Sequence, residues 1–241
     1  TGELLIYFTR NGLSEQNNRI YEANPGGAPC NVLAMLGELG YKTAFIGKVG
    51  DDEFGKLLKN TISEQKIDAA GLILDPNAKT TLAFVDNDET GDRSFSFYRK
   101  PGADMMLRED EVNYELIDNC RIFHFGSLSM TDEPVRSATY AMIDYAKKKN
   151  KIISFDPNLR PPLWESEDLA AKQIWYGIEQ CDILKIADNE IEWLTGTNDY
   201  DKGIEIIRER THAKLINVTL GPNGSVAYYG NHKVFMEPYL N

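Results

Sequence analysis

The sequence has few cysteines, few histidines and no long apolar run. Its three cysteines, Cys30, Cys120 and Cys181, lie far apart and form no C-x-x-C pair, so they indicate reduced core residues rather than a disulfide framework. The three histidines are scattered along the chain, which disfavours a zinc site. No apolar run approaches the roughly 20 residues of a membrane span, and no signal peptide precedes the first predicted strand. These absences predict a cytoplasmic protein that has no membrane partner.

Basic charge and the common nucleotide-binding signatures are also missing. The chain has 26 Lys and Arg against 37 Asp and Glu, a net charge of -11, which argues against nucleic acid as a partner. The phosphate-binding P-loop requires Ser or Thr directly after a Gly-Lys pair, but Gly47-Lys48 is followed by Val49, so this motif is absent. No G-x-G-x-x-G opens a helix, which disfavours a nicotinamide dehydrogenase, and no G-x-S-x-G elbow occurs. A neutral sugar remains open as a substrate, together with a nucleotide that arrives with Mg²⁺.

The most informative stretch runs from Asn24 to Val32, Asn-Pro-Gly-Gly-Ala-Pro-Cys-Asn-Val. Gly26 and Gly27 allow a sharp turn and a close approach of a ligand to backbone amides. Pro29 suits the first turn of a helix, and Asn31 adds an amide that both donates and accepts. We expect a buried helix with free N–H groups at its mouth and an apolar stripe formed by Val32, Leu36 and Leu39. A glycine turn that only starts a packed helix explains the local sequence equally well.

Strands and helices alternate along most of the chain, which predicts an α/β fold with a mainly parallel sheet. Arg10 to Asn24 is polar and predicts an exposed hairpin or flap. Thr80–Val85 and Arg93–Tyr98 are predicted to form a second hairpin across the turn cluster Asn87–Asp92. Phe95, Phe97 and Arg99 share one face of this ribbon. We prefer a lid over a polar ligand to an ordinary ribbon that packs its phenylalanines on the main body.

Several polar groups follow predicted strands, where open α/β sheets bind ligands. The strand Ile152–Phe155 is followed by Asp156, Asn158 and Arg160. The local sequence fits two roles of Arg160 equally well: phosphate binding, or a structural role in contact with solvent. Glu190 lies near a helix start, where water-mediated Mg²⁺ binding competes with a simple favourable interaction with the helix dipole. The end of a predicted strand and the turn after it contain Thr219, Gly221 and Gly224. This element either allows a nucleotide base or phosphates to approach the backbone, or is an ordinary hairpin turn.

Ordered motifs spread from Gly2 to about Tyr239 carry a family resemblance. They are Gly26-Gly27-Ala28-Pro29-x-Asn31, Gly47 with Gly50-Asp51-Asp52-x-Phe54-Gly55, Phe95 to Asp104, Phe123 to Ser127, Phe155 to Pro161, Asp182 to Lys185, Glu190 with Leu194-Thr195-Gly196, and Val218-Thr219-Leu220-Gly221-x-x-Gly224. Together they resemble the ribokinase-like (PfkB) carbohydrate kinases, most closely the bacterial fructokinases. The resemblance implies one ribokinase-like domain over residues 1–241, a three-layer α/β/α fold that lacks its C-terminal part. Lid strands are expected from about 10–24 and 71–100.

The resemblance also implies a reaction and a set of site residues. The reaction is ATP-dependent phosphorylation of the primary hydroxyl of D-fructose to fructose 6-phosphate. Sugar-binding residues are then Gly26, Gly27, Asn31, Phe97, Arg99 and Arg160. Nucleotide-binding residues are Lys185, Thr219, Gly221 and Gly224, and Glu190 is expected to hold Mg²⁺ through water. A homodimer through the lid is expected as well.

Three departures from the family pattern leave alternatives open. Tyr7 stands where the family has a sugar-binding Asp, and Ala187 stands where an Asn or Ser is usual. The family's catalytic Asp lies in a Gly-Ala-Gly-Asp element beyond Asn241, so the 241 residues alone are expected not to be a competent kinase. A 2-keto-3-deoxygluconate kinase is the alternative enzyme, and a non-catalytic sugar-binding relative is the alternative from another class.

Overall fold

The structure is a computed structural model that describes residues 1–87 and 93–238. Most of the predicted turn cluster Asn87–Asp92 therefore lies outside the described residues. The chain divides into two compact units. The first contains Thr1–Leu116 and Asp132–Ala138, and the second contains Ile117–Thr131 and Thr139–Asn241.

Strands and helices alternate over most of the chain, as predicted for an α/β protein. In order, the elements are β1 (Leu5–Leu13), β2 (Arg19–Gly26), α1 (Ala28–Glu38), β3 (Thr43–Gly50), α2 (Glu53–Glu64), β4 (Ile67–Asp75), β5 (Leu82–Asn87), β6 (Arg93–Tyr98), α3 (Tyr114–Asn119), β7 (Ile122–Gly126), α4 (Val135–Lys148), β8 (Ile152–Asp156), α5 (Glu167–Gln180), β9 (Ile183–Ala187), α6 (Asp188–Thr195), α7 (Tyr200–Arg208), β10 (Leu215–Thr219), β11 (Ser225–Tyr229) and β12 (His232–Met236). Within the described ranges, no helix is long and apolar enough to cross a membrane.

The first unit contains a four-stranded sheet in the order β2-β1-β5-β6. β1 and β2 form one antiparallel hairpin, β5 and β6 form another, and β1 runs parallel to β5. Both predicted hairpins are therefore confirmed. The prediction that lid strands extend from about 71 is wrong for the strand at Gly71–Leu74, because β4 pairs in parallel with β3 and not with the four-stranded sheet.

Helix α1 buries a different stripe from the predicted one. Val32 is 38% exposed and Leu39 is 65% exposed, so the expected stripe through Val32, Leu36 and Leu39 is wrong. Cys30 is buried, and Leu33 and Ala34 pack against the core of Leu4, Ile6, Phe45, Val49, Leu58 and Ile62. Cys30, Leu33 and Ala34 follow i, i+3, i+4 spacing and begin two residues before the predicted stripe, which had i, i+4, i+7 spacing.

The second unit contains a six-stranded sheet in the order β12-β11-β10-β9-β8-β7. β7 to β10 run parallel, and β11 and β12 join them antiparallel as successive hairpins. The carboxyl ends of β8, β9 and β10 therefore meet at one edge. The sequence interpretation missed α5, whose N-cap Ser166 accepts a hydrogen bond from the Leu169 N–H (3.1 Å) and whose buried face includes Ala170, Ile174 and Ile178.

Candidate functional site

The glycine turn before α1 can be built only with glycine. Gly27 is the N-cap of α1, with φ 146° and ψ 131°, a backbone conformation that other residues rarely adopt. A Cβ on Gly27 would lie 2.3 Å from the Glu3 carbonyl oxygen, and one on Gly26 would lie 2.8 Å from the Tyr7 ring. Asn31 is exposed one turn into the helix, where its N–H donates to the Gly27 carbonyl oxygen (3.0 Å). The turn therefore places bare backbone beside an exposed amide side chain.

Glu3 lies at the N-terminus of α1, and the sequence analysis did not identify it as a site residue. Its buried carboxylate accepts a hydrogen bond from the Ala28 N–H (2.9 Å), so this amide is not free as the sequence interpretation expected. Burial raises the pKa of Glu3, whereas the Ala28 N–H and the charge of Arg99 act in the opposite direction and Asp104 adds to the rise. No local sequence pattern reveals the hydrogen bond between Glu3 and Ala28, since the two residues are 25 positions apart.

Arg99 is a buried cation held by a carboxylate. Its Nε donates to Asp104 Oδ2 at 2.7 Å, and the two side chains are 4% and 2% exposed. Thr81 Oγ1 donates to Asp104 Oδ1 at 2.5 Å. The predicted sugar-binding cation is therefore part of a buried network with Asp104 and Thr81.

Phe97 lies on the face of the four-stranded sheet that also carries Phe95. Tyr7 stands beside Ala83, and Ala83 stands opposite Phe97, so the side chains of these residues share one face. Phe95, on the same face, is 40% exposed and stacks on Phe97 with ring centroids 6.0 Å apart. On the opposite face, Phe8 stacks on Phe84 and meets Phe54 of α2 edge-on. Phe95 and Phe97 therefore lie on the face opposite to the one that packs on α2, and the lid role of this ribbon stays a prediction.

A second group of polar residues lies at the carboxyl ends of β8 and β9. Lys185 Nζ contacts Asp156 Oδ1 at 3.2 Å, and the Asn158 N–H donates to the same oxygen at 3.2 Å. Burial raises the pKa of Asp156, whereas the charge of Lys185 opposes that shift and Glu190 adds to it. Asn158 has φ 43°, so the chain turns sharply directly after the strand. Arg160 follows in the same loop, where its guanidinium donates to the Leu159 carbonyl oxygen (3.0 Å).

Glu190 joins this loop to helix α6. One carboxylate oxygen accepts the Leu159 N–H (2.7 Å) and the other accepts the Ala187 N–H (2.8 Å). Glu190 is 8% exposed and lies in the first turn of α6, where its contact with the Ala187 N–H caps the helix and its charge faces the positive end of the helix dipole. No cluster of three or more metal-ligating side chains occurs within residues 1–87 and 93–238. A carboxylate still has acceptor sites beyond two such bonds, and Mg²⁺ commonly keeps its waters and binds few protein groups, so Glu190 fits a water-mediated contact.

The turn between β10 and β11 is a tight hairpin. The Leu220 N–H donates to the Gly224 carbonyl oxygen at 2.9 Å, and Gly221 and Gly224 have φ values of 55° and 93°. A Cβ on Gly224 would lie 2.2 Å from the Met236 carbonyl oxygen. Thr219 ends β10 between Ala187 of β9 and Ser225 of β11. The clash makes Gly224 necessary for the turn, whereas Gly221 has open space around a Cβ and a φ that Asn150 also adopts. The nucleotide-binding role of both glycines stays a prediction.

The structure places the predicted residues in two groups. Gly26, Gly27, Asn31, Phe97 and Arg99 belong to the first unit, whereas Arg160, Lys185, Glu190, Thr219, Gly221 and Gly224 belong to the second. In the first unit, Glu3 accepts a hydrogen bond from Ala28, directly after the glycine turn, and Asp104 holds Arg99. In the second, Glu190 links the loop that carries Arg160 to the end of β9.

Comparison with known proteins agrees with this architecture. The profile of the pfkB family carbohydrate kinases matches residues 1–240. The chain belongs to the pfkB family of carbohydrate kinases. A probable fructokinase-2 of Arabidopsis thaliana is 44% identical over 229 residues, which is 94% of this chain and 70% of that protein.

Two solved structures show the same fold. The fructokinase of Xylella fastidiosa superposes with a TM-score of 0.91 at 32% identity, over 100% of this chain and 74% of that chain. The fructokinase of Vibrio cholerae O395 with fructose, ADP and a calcium ion bound gives a TM-score of 0.87 at 30% identity, over 98% of this chain and 74% of that chain. The ribokinase-like α/β fold and the enzyme class, a phosphotransferase that acts on an alcohol group, are confirmed.

Proposed function

We propose that this protein transfers the γ-phosphoryl group of ATP to the primary hydroxyl of D-fructose. The observation that carries the proposal is the shared family and fold with a fructokinase solved with fructose and ADP bound. The residues of this chain suit that reaction, because phosphoryl transfer depends on alignment and charge neutralisation more than on covalent chemistry.

In the first unit, we assign sugar recognition to Gly26, Gly27, Asn31, Phe97 and Arg99. Backbone amides and the Asn31 amide suit hydroxyl groups that both donate and accept. The Phe97 ring supplies an apolar surface for the sugar, and the lid excludes water that would otherwise hydrolyse ATP. From the second unit, Arg160 is assigned to the sugar or to the phosphate.

The nucleotide is assigned to Lys185, Thr219, Gly221 and Gly224. Lys185 provides a positive charge for the phosphates, and the turn at Gly221 offers backbone that carries no side chain. Mg²⁺ would be held through water by Glu190, with the phosphates as its other ligands, and would neutralise phosphate charge. Asp156 keeps Lys185 oriented at the strand ends through their contact at 3.2 Å.

The proposal also covers the location, the oligomeric state and the domain organisation of the protein. The protein is cytoplasmic, and it forms a homodimer through the four-stranded sheet. Residues 1–241 belong to a single ribokinase-like domain. The free outer edges of β2 and β6 within that sheet support the dimer, because unpaired strand edges favour pairing with a second copy.

The experiment is an ADP-release assay on the complete gene product with Mg·ATP and either fructose, glucose, ribose or 2-keto-3-deoxygluconate. We expect fructose to be preferred and the product to be fructose 6-phosphate by NMR. Preference for 2-keto-3-deoxygluconate would replace the proposed substrate with the alternative sugar. A thermal shift with fructose, no shift with Mg·ATP and no ADP release would establish the non-catalytic relative instead.

A further inference from the structure

The Arg99 network contains a carboxylate that the proposed function leaves without a role. Asp104 lies in the 3₁₀ turn Ala103–Met106, which begins five residues after the end of β6. Its two oxygens are divided between two donors: Oδ2 accepts from Arg99 Nε at 2.7 Å and Oδ1 accepts from Thr81 Oγ1 at 2.5 Å. The Asp104 and Arg99 side chains are 2% and 4% exposed, so the ion pair is shielded from solvent.

The position of the Asp104 carboxylate is fixed by its surroundings. A Cβ on Gly102 would lie 1.9 Å from Thr81 Oγ1 and 2.7 Å from Asp104 Oδ1, so no room remains beside the carboxylate. The Ala103 N–H donates to the Lys79 carbonyl oxygen and the Gly102 N–H to the Arg99 carbonyl oxygen, both at 2.8 Å. The turn is therefore anchored at its start to the segment of residues 79–81, which carries Thr81 and leads into β5.

A second anchor holds the end of the same turn. Lys48 Nζ, 2% exposed, donates to the Met106 carbonyl oxygen at 3.0 Å and forms an ion pair with Glu111 at 2.6 Å. Because both ends of the turn are fixed, Asp104 has little freedom to follow a moving guanidinium. Arg99 must instead adopt the orientation that Asp104 imposes through Nε.

We propose that Asp104 is a positioning residue for sugar recognition, which fixes the guanidinium of Arg99 in the orientation that the sugar requires. This inference rests on the proposed function, in which Arg99 contacts the sugar. The chemistry is charge-assisted: one carboxylate oxygen holds the guanidinium at Nε while Thr81 holds the other oxygen, so the planar group cannot turn without breaking a short ionic hydrogen bond. Asp104 itself touches neither the sugar nor ATP.

The test is a double-mutant cycle in the complete gene product with Asp104→Asn, Arg99→Lys and both together. We expect Asp104→Asn to raise the KM for fructose about 10- to 100-fold, the range given by hydrogen bonds to charged groups, with less than a twofold change in the KM for ATP. Because Asp104 acts through Arg99, the double variant should show the same fructose KM as Arg99→Lys alone. Equal effects on both KM values, or multiplicative effects in the double variant, would overturn the inference.

Asp201→Asn is the matched control. Asp201 on α7 also accepts from one cation and one hydroxyl, Lys233 Nζ at 2.6 Å and Tyr228 Oη at 2.5 Å, but it belongs to the second unit and to no assigned site. It should lower the melting temperature and leave both KM values unchanged. If the Asp104 variant does not fold, Thr81→Val removes only the hydroxyl donor, and the fructose KM should still rise selectively.

Failure of the inference is separable from failure of the proposed function. Wild-type protein that phosphorylates fructose, combined with an Asp104→Asn variant of unchanged fructose KM, overturns the inference alone. Turnover of another sugar replaces the proposed substrate, and the cycle is then measured on that sugar. Absence of turnover with every sugar overturns both.

Discussion

At Gly27 two independent constraints exclude a side chain. The residue has φ 146°, and a Cβ would lie 2.3 Å from the Glu3 carbonyl oxygen. Gly40, just beyond α1, shares the first constraint with φ 85°, but a Cβ there would have no heavy atom within 4 Å. Comparing the two glycines therefore separates the effect of backbone strain from the effect of a steric clash with Glu3.

We predict that Gly27→Ala is much more destabilising than Gly40→Ala. Gly40→Ala should lower the free energy of unfolding by about 1 kcal/mol from strain alone. Gly27→Ala adds the clash and should cost about 3 kcal/mol or more, with loss of sugar binding because the helix mouth must shift. Urea denaturation measures the first effect and calorimetry with fructose the second. Equal costs for the two variants would show that the space beside Gly27 is not restrictive.

At the scale of elements, two helices of the second unit begin with side-chain caps of different kinds. Ser166 caps α5 with one hydrogen bond, to the Leu169 N–H. Glu190 accepts from Ala187 at the start of α6 and also from Leu159 in the preceding loop. Glu190 therefore joins two segments, and by proposal it also reaches Mg²⁺ through water.

We predict that Glu190→Gln lowers stability and raises the Mg²⁺ concentration needed for half-maximal activity. Glutamine keeps one acceptor oxygen, so one amide loses its partner, at a cost of about 1–3 kcal/mol in the free energy of unfolding. Ser166→Ala should cost about 1 kcal/mol as a lost cap and leave the Mg²⁺ requirement unchanged. The measurements are urea denaturation and an Mg²⁺ titration of ADP release. An unchanged Mg²⁺ requirement in Glu190→Gln would limit Glu190 to capping.

At the scale of the whole molecule, a partly buried histidine couples stability to pH. His124 lies in the middle of β7, and its Nδ1 is 3.0 Å from Ser154 Oγ of β8. Burial, with smaller effects from nearby positive charges including Lys185, lowers the pKa of His124 to about 4. The folded state therefore binds fewer protons than the unfolded state between pH 6.5, the ordinary value for histidine, and about pH 4.

We predict that stability falls as the pH is lowered from about 6.5 to about 4, and that His124 contributes about 3 kcal/mol of this loss. Above pH 6.5 the imidazole is neutral in both states, so its contribution is constant. His124→Asn should remove this part of the pH dependence, whereas the exposed His232→Asn should not. Urea denaturation across this pH range is the measurement. An identical pH profile for wild type and His124→Asn would contradict the prediction.

Much of the fold followed from local patterns. α6 lies at the predicted Asp188–Thr195 and β11 at the predicted Ser225–Tyr229, because caps, glycine turns and short apolar runs mark these elements within a few residues. The stripe on α1 was wrong because apolar residues occur on more than one side of that helix, and only the neighbouring strands decide which side is buried. For the candidate site, residue types and the family resemblance identified the glycine turn, Arg99 and Glu190, but not the groups that hold them.

What the sequence by itself determined is the alternation of strands and helices, the family, and the residue types at the strand ends. These depend on short-range spacing and on motifs read along the chain. Only the tertiary structure decided that Glu3 caps α1, that Thr81 and Asp104 hold Arg99, and that both oxygens of Glu190 are engaged by backbone amides. Such contacts mostly join residues far apart in sequence, and their strength comes from burial, which exists only once the strands and helices have packed.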